Sequence, residues 1–192
     1  MKYRILSIMS KLPIIIVPDE RLVTHSREVT AITDEIKELV DNMFETMYSA
    51  DGIGLSAVQV GVLERIFIID IKSDTALSDD NIEDKSGYQA TGKSMTIINP
   101  EIVELSEEQI VLTEGCLSIP GQAYKIKRPK YLTLKYKDID NTEQIIKATG
   151  WLARGIQHEF DHLNGILYIK YLSKLKYDMA IKKAQKVKRQ YE

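Results

Sequence analysis

The sequence predicts an α+β fold in a single domain, residues 1–192. Segments whose apolar residues recur at helical spacing alternate with short β-branched runs, and a turn-like segment joins two of these runs as in an antiparallel pair. The chain has 192 residues, of which 44% are apolar and 28% charged. A chain of this length buries about two-thirds of its unfolded surface in one core, so one domain is sufficient.

The first elements are a helix and a buried strand. Thr33 suits an N-cap, the acidic residues 34–35 suit a first helical turn, and apolar residues recur from Ile36 to Met47 at helical spacing. This helix should end near Ala50. Residues 65–70 (R-I-F-I-I-D) are short and β-branched, which predicts a buried strand.

A polar segment, residues 73–94, then interrupts the pattern. It is rich in Asp, Ser, Gly and Thr, so we expect an exposed insertion loop. Two further helices are expected, at residues 151–164, closed by Gly165, and at residues 173–190. Strands are expected at residues 95–98, 109–112, 132–136 and 144–147, the last two joined by a hairpin turn at 138–141.

Composition excludes several classes of protein. The 26 basic and 28 acidic residues argue against a nucleic-acid binder, including one that reads a DNA sequence. One cysteine cannot form an intrachain disulfide. The apolar run at residues 12–18 is too short to span a bilayer and ends in proline. We therefore expect a cytoplasmic protein with no membrane partner.

Residues 158–162 (H-E-F-D-H) carry the strongest chemical signal. Residues four apart share one face of a helix, so His158 and His162 can grip one metal ion while Glu159 stays free to move a proton. Trp151 and Gly155 precede them on the same stripe. We therefore expect Gly155 to leave room beside the metal and Trp151 to form the wall of a pocket.

A catalytic metal site needs a third protein ligand and an open position for water. In the longer peptidase pattern the third ligand is a later His, but Tyr168 stands at that position. The only acidic residues after His162 are Asp178 and Glu192. Cys116 is the obvious remaining candidate, since a thiolate binds Zn²⁺ or Fe²⁺ well.

A glycine-rich segment, residues 52–59 (G-I-G-L-S-A-V-Q), is the third feature. Its glycines permit turns and close approach of a bound chain, and Gln59 offers an amide donor. No Gly-Lys-Ser/Thr follows, so the segment is not a phosphate-binding loop.

Taken together and in order, G-I-G-L-S-A-V-Q, E-G-C-L-S (residues 114–118) and H-E-F-D-H resemble the peptide deformylase family, whose pattern is G-x-G-L-A-A-x-Q, E-G-C-L-S and H-E-x-D-H. The resemblance runs from about Val17 to Leu175. Two departures are Ser56, where the pattern has Ala, and the stretch 121–124, which lacks an Arg that some bacterial members carry. The resemblance implies antiparallel and mixed sheets packed around a central metal-binding helix, with a C-terminal helix.

The resemblance also implies an activity and a set of roles. The activity is removal of the N-formyl group from the initiator formyl-methionine of new polypeptides, with release of formate. Metal-bound water would attack the formyl carbon, with Glu159 as general base and acid, and Gln59 and the backbone N–H of Leu117 would hold the oxyanion. The implied metal ligands are Cys116, His158 and His162, and the implied substrate-binding residues are Ile53, Gly54, Glu114, Gly115, Trp151 and Gly155. Fe²⁺ is the ion expected in the cell, with Zn²⁺, Ni²⁺ or Co²⁺ as alternatives.

Three other functions fit parts of the pattern. An H-E-x-x-H metallopeptidase would cleave internal peptide bonds and would not need Cys116. A non-catalytic ribosome-associated module would hold a structural metal, which normally has a fourth protein ligand. A Cys–His thiol hydrolase would use Cys116 as nucleophile but leaves the paired histidines unexplained.

The C-terminal segment, residues 170–192, is predicted to be a basic helix. It has eight basic and two acidic residues, a charge of +6 in a chain whose net charge is −2. Such a run is commonly a solvated helix face. For a deformylase, contact with ribosomal RNA is the alternative.

Overall fold

Strand β2 (Ile66–Ile71) lies at the centre of the fold because both of its faces are apolar. In the computed structural model, which describes residues 10–71, 89 and 92–191, every residue of β2 is buried. Phe67, Ile69 and Ile71 pack in one cluster with helix α2 (Gly150–Leu163), and Ile66 and Ile68 pack in another with helix α1 (Asp34–Ser49). The buried strand predicted at residues 65–70 is confirmed, shifted by one residue.

Two antiparallel sheets surround α2. The five-stranded sheet has the order β1-β2-β3-β6-β7, where β1 is Gly54–Ser56, β3 is Gly92–Leu105, β6 is Tyr131–Lys137 and β7 is Glu143–Thr149. The second sheet is a hairpin of β4 (Gln109–Cys116) and β5 (Ile119–Pro129). This is the predicted α+β architecture.

The locally encoded elements match their predictions. Thr33 caps α1, and its hydroxyl oxygen accepts a hydrogen bond from the Ile36 backbone N–H at 3.4 Å. The predicted hairpin between β6 and β7 is confirmed, and Asn141 in its turn has a φ of +62°. Asn tolerates this left-handed backbone conformation better than most residues.

Strand β5 was not predicted from the sequence. The last residues of the loop predicted at 73–94 also form a strand instead. Pro120, Gly121 and Pro129 favour turns in the sequence, whereas pairing with β4 holds this segment extended. Residues 92–94, expected in the loop, belong to β3. Most of the predicted loop lies outside the described residues; within it, Gln89 forms a bridge with Ala148 of β7.

Helix α2 ends where Gly165 predicts. Gly165 has a φ of +69°. Its N–H donates a hydrogen bond to the carbonyl of His162, and the Ile166 N–H donates one to the carbonyl of Asp161. This pair of bonds is the Schellman motif. The motif needs a left-handed backbone conformation at this position, which glycine adopts without steric strain. The end of the helix that carries His158 and His162 is thereby fixed.

Helix α3 (Lys174–Tyr191) packs on the hairpin, close to the predicted limits. Ala180 and Ala184 are fully buried in a cluster with Ile119 and Ile126 of β5. The Gln122 side-chain amide of β5 donates a hydrogen bond to the carbonyl of Ala180 at 2.9 Å. Among the described residues, no helix is long and apolar enough to cross a membrane.

The two glycines with φ of +69° allow a test of how tightly the end of α2 is held. A Cβ at Gly165 would lie 2.6 Å from the backbone oxygen of Val23, whereas a Cβ at Gly121 would meet nothing within 4 Å. Gly121→Ala should therefore cost only the left-handed backbone strain, about 1–2 kcal/mol. Gly165→Ala adds a steric clash and should cost about 2–5 kcal/mol in the free energy of unfolding.

Urea-induced unfolding of both variants measures the difference. Equal losses of stability in the two variants would contradict the close contact between Gly165 and Val23.

Candidate metal centre

Cys116, His158 and His162 converge at one point, as the sequence predicts. One ligand atom from each lies within 4.8 Å of the others, and the Cys116 Sγ is 3.2 Å from the His162 Nε2. Both histidines are buried, and Cys116 is partly exposed. The three side chains therefore leave one side of the cluster open, towards the cavity described below.

Two elements bring these atoms together. Helix α2 carries both histidines one turn apart, so their rings lie side by side with centroids 5.1 Å apart. Cys116 is the last residue of β4, where the register with β5 shifts between Gly115 and Cys116. A bulge of this kind re-aims a side chain, here the thiol.

Glu114 orients the first histidine. Its carboxylate oxygen Oε2 lies 2.9 Å from the His158 Nδ1, so Nε2 of the same ring is the nitrogen left to face the cluster. Glu114 and Cys116 are two residues apart at the end of β4, and each contacts a histidine of the cluster. Strand β4 thus supplies one of the three clustered side chains and orients a second.

Glu114 is itself held by two buried arginines, which sequence reasoning missed. Arg128 donates two hydrogen bonds to its carboxylate, from Nε at 2.7 Å and Nη2 at 3.0 Å, and Arg154 donates a third. Arg128 also bonds Asp161 of the H-E-F-D-H segment at 2.6 Å. Burial alone would raise the pKa of Glu114, but the bonds from His158 and Arg128 outweigh it and hold this pKa well below its usual value.

Only one of these arginines left a signal in the sequence. Arg154 lies four residues before His158, on the same face of a helix that is otherwise mostly buried. Arg128 lies on the unpredicted strand β5, thirty residues before His158, and its bond to Glu114 depends on tertiary packing.

The donor set fits a divalent metal ion. Metals bind the neutral form of imidazole, and burial, followed by repulsion from His158, lowers the pKa of His162 well below its usual value. A thiolate with two imidazoles suits Zn²⁺ or Fe²⁺. Metal-bound histidines normally have a hydrogen-bond partner, often a carboxylate, on the ring nitrogen that does not bind the metal. The Nδ1 of His158 has such a partner in Glu114.

Glu159 lies beside the cluster in a buried position. Its carboxylate rests on Gly54 of β1, where a Cβ would approach the Glu159 Oε1 to 2.6 Å. Burial raises the pKa of Glu159 above its usual value. A buried carboxyl group whose proton is held more tightly than usual suits a general base and acid.

Gln59 is fixed with its amide nitrogen towards the cluster. Its Oε1 accepts a hydrogen bond from the Ser56 N–H at 2.8 Å, which leaves Nε2 3.5 Å from the Cys116 Sγ and 3.2 Å from the Ser118 Oγ. Leu117 follows Cys116 in the turn after β4 and also faces the cavity.

A cavity of about 540 Å³ opens onto this cluster. This volume is typical of small-ligand pockets. Its walls include Cys116, His158, Glu159, Gln59 and Leu117, and all six residues expected to bind substrate: Ile53, Gly54, Glu114, Gly115, Trp151 and Gly155. The sequence prediction of a pocket beside the metal ligands agrees with this geometry.

The prediction that Gly155 leaves room beside the metal is wrong. A Cβ at this position would lie 2.5 Å from the Ile69 Cδ1 of β2, so the missing side chain lets α2 pack closely on the central strand. Gly155 contributes backbone to the cavity wall, but the space its side chain would fill is occupied by Ile69 rather than left open beside the metal.

Comparison with known proteins agrees with this geometry. Residues 11–178 match the family model described as polypeptide deformylase. The chain is 68% identical to the peptide deformylase of Wolbachia pipientis wMel over 96% of this chain and 99% of that protein. It superposes on the crystal structure of peptide deformylase from Ehrlichia chaffeensis with a TM-score of 0.88 and 47% identity, over 94% of this chain and 98% of that one. A structure of the Ehrlichia chaffeensis protein in complex with actinonin gives a TM-score of 0.87 and 48% identity, over 94% of this chain and 99% of that one.

The matched region contains all three sequence motifs and both sheets. A match of this extent, together with the Cys–His–His cluster, shows that the chain belongs to the peptide deformylase family.

Proposed function

We propose that Cys116, His158 and His162 hold the metal ion of a deformylase reaction in which Glu159 is the general base and acid. The reaction follows from family membership: the chain removes the N-formyl group from the formyl-methionine of new polypeptides and releases formate. The observation that carries the residue roles is the convergence of one sulfur and two ring nitrogens within 4.8 Å beside a buried carboxylate.

The proposed ion in the cell is Fe²⁺, with Zn²⁺, Ni²⁺ or Co²⁺ able to take its place, because one thiolate and two imidazoles suit all of them. When bound, such an ion makes water a nucleophile near neutral pH. Metal analysis of protein prepared without oxygen tests the identity of the ion.

The chain's own residues then perform the rest of the reaction. Glu159 accepts the proton of the attacking water and returns it to the leaving amine. The Gln59 Nε2 and the Leu117 N–H stabilise the negative oxygen, each contributing roughly 3 kcal/mol to the transition state. Glu114 is better suited to positioning His158 than to contacting substrate through its side chain, since three groups already occupy its carboxylate.

The cavity accounts for substrate choice in this proposal. The formyl carbon carries only hydrogen besides its nitrogen and oxygen, so a narrow site can admit it and exclude larger acyl groups. Ile53, Gly54, Gly115 and Gly155 provide wall close to the reacting atoms, and Trp151 lines the cavity from the first turn of α2. We assign Trp151 to the methionine side chain.

The other functions fit the contacts less well. A thiol hydrolase needs one base held by a third group, a place that His158 and Glu114 fill, but it leaves the second histidine, His162, 3.2 Å from the Cys116 Sγ without a task. A structural metal needs a fourth protein ligand, and among the described residues the cluster consists of Cys116, His158 and His162 alone. A metallopeptidase gives Cys116 no role.

Glu159→Gln tests the role of the general base. The amide keeps the size of the side chain but cannot take a proton, so kcat for a formyl-Met-Ala peptide should fall by about 10²–10⁴-fold. Metal content should stay at the wild-type level, because Glu159 is not a ligand.

Cys116→Ala is the contrasting variant and should lose metal as well as activity. Formate release and metal analysis are measured on the same preparations. A Glu159→Gln enzyme with wild-type kcat would contradict the proposal.

Trp151→Ala should raise KM for formyl-Met peptides by about five- to tenfold, since the methionine side chain loses part of its apolar contact. A formyl-Gly peptide is the matched control, because it has no side chain to place in the pocket. An equal rise of KM for both peptides would remove Trp151 from the methionine site.

We also propose that α3 contacts the ribosome in the cytoplasm, where new polypeptides emerge. Removing α3 would be a poor test, because Ala180 and Ala184 are part of the core. Neutralising exposed lysines leaves that packing intact. The positions are Lys182, Lys183 and Lys186.

The triple Lys→Gln variant at these positions should bind ribosomes more weakly and with a shallower dependence on salt. Cleavage of short formyl peptides should not change. The control neutralises three exposed lysines elsewhere, namely Lys11, Lys37 and Lys147. Co-sedimentation at several salt concentrations measures both; equal binding by the two variants would refute a specific α3 contact.

A further inference from the structure

A serine hydroxyl lies against the proposed general base. Ser56, the last residue of β1, is fully buried, and its Oγ is 2.7 Å from the Glu159 Oε2. The Glu159 backbone carbonyl is also near, at 3.1 Å from the same hydroxyl. A serine has one O–H to donate, and the shorter distance and the negative charge favour the carboxylate as its acceptor.

The other carboxylate oxygen is confined by the same strand. The Glu159 Oε1 lies over Gly54, which would meet it at 2.6 Å if it had a Cβ. Gly54 and Ser56 are two residues apart on β1, so they present the same face to Glu159. Gly54 makes room for the carboxylate, and Ser56 binds one of its ends.

This contact decides which way the carboxylate faces. The terminal torsion of a glutamate has only broad preferences, so without a partner the group samples many orientations. With Oε2 bonded to Ser56, Oε1 is the oxygen that remains for the proton of the attacking water. In the described part of the chain, Oε1 has no hydrogen-bond partner of its own, and Glu159 lines the cavity.

The backbone of Ser56 has a separate task. Its N–H holds the Gln59 Oε1 at 2.8 Å and so aims the proposed oxyanion donor. A substitution of the side chain leaves this N–H in place. The Ser56 side chain also forms a capping box with the Gln59 backbone, so the double-mutant cycle below is needed to assign the effect of its loss to Glu159.

We propose that Ser56 is a positioning residue, whose hydroxyl fixes the carboxylate of Glu159 in the orientation that takes up the proton. The inference rests on the proposed role of Glu159. The family pattern has Ala at this position, so the hydroxyl refines the geometry of the base and is not essential to the reaction. Its loss should slow the reaction moderately rather than abolish it.

The test is Ser56→Ala, with kcat and KM measured on a formyl-Met-Ala peptide. One lost hydrogen bond to the base should lower kcat by about three- to tenfold. KM and metal content should stay within about twofold of wild type, because neither the cavity wall nor a ligand changes.

Ser26→Ala is the matched control. The Ser26 hydroxyl is also buried but has no hydrogen-bond partner among the described residues, and Ser26 does not line the cavity. Its removal deletes a buried hydroxyl without touching Glu159, so kcat should not change. If Ser26→Ala lowered kcat as much as Ser56→Ala, both effects would come from a general loss of packing or stability, and the proposal would be overturned.

A double-mutant cycle separates this proposal from the one on which it rests. If Ser56 acts through Glu159, adding Ser56→Ala to Glu159→Gln should not lower the residual kcat further. A further loss of the same size in that background would show that Ser56 acts elsewhere. Wild-type kcat in Ser56→Ala would refute the role of Ser56 alone, whereas wild-type kcat in Glu159→Gln would refute the role of the base.

Discussion

The buried carboxylate of Glu114 is the contact on which the rest of the site depends. It joins the hairpin to the helix: Glu114 lies on β4, its partner His158 lies on α2, and the two are 2.9 Å apart. Cys116 follows Glu114 by two residues, and its Sγ is 3.2 Å from the His162 Nε2, so the end of β4 contacts both histidines of α2. Together with the Arg128–Asp161 bond and the bond from Arg154 to the Ile110 carbonyl, the Glu114–His158 bond fixes how the hairpin and the helix sit against each other.

Burying such a group is favourable only when its charge is matched. An unpaired buried charge costs several kcal/mol, whereas a complete network of hydrogen bonds removes most of that penalty. Here two carboxylates, Glu114 and Asp161, face two guanidinium groups, Arg128 and Arg154, all mostly buried. The network stiffens the part of the molecule where the ligand atoms must keep their spacing.

The proton-handling side of the site is built from the other sheet. Strand β1 presents Gly54 and Ser56 to Glu159, and the turn after it aims Gln59 at Cys116. The proposed base and oxyanion donor are thus held from β1, and the proposed ligands are held from β4 and α2. Groups on packed strands and helices keep their geometry better than groups on loops, which suits a reaction that depends on orientation.

The sequence by itself determined the elements whose signals are local. The cap at Thr33, the short β-branched run of β2, the turn at 138–141 and Gly165 at the end of α2 are each signalled by residues close together in the chain. The H-E-F-D-H spacing placed His158 and His162 side by side for the same reason, because residues four apart share one face of a helix. Cys116 was predicted as the third ligand because it is the only cysteine of the chain.

Only the tertiary structure decided which distant groups meet. Glu114 bonds a histidine 44 residues away, and Ser56 bonds a glutamate 103 residues away. Gly155 packs against Ile69 rather than opening space, and β5 forms because β4 pairs with it despite its turn-favouring residues. Periodicity, caps and turns depend on neighbours in the chain, whereas these contacts depend on how sheets and helices pack, and no local pattern encodes that.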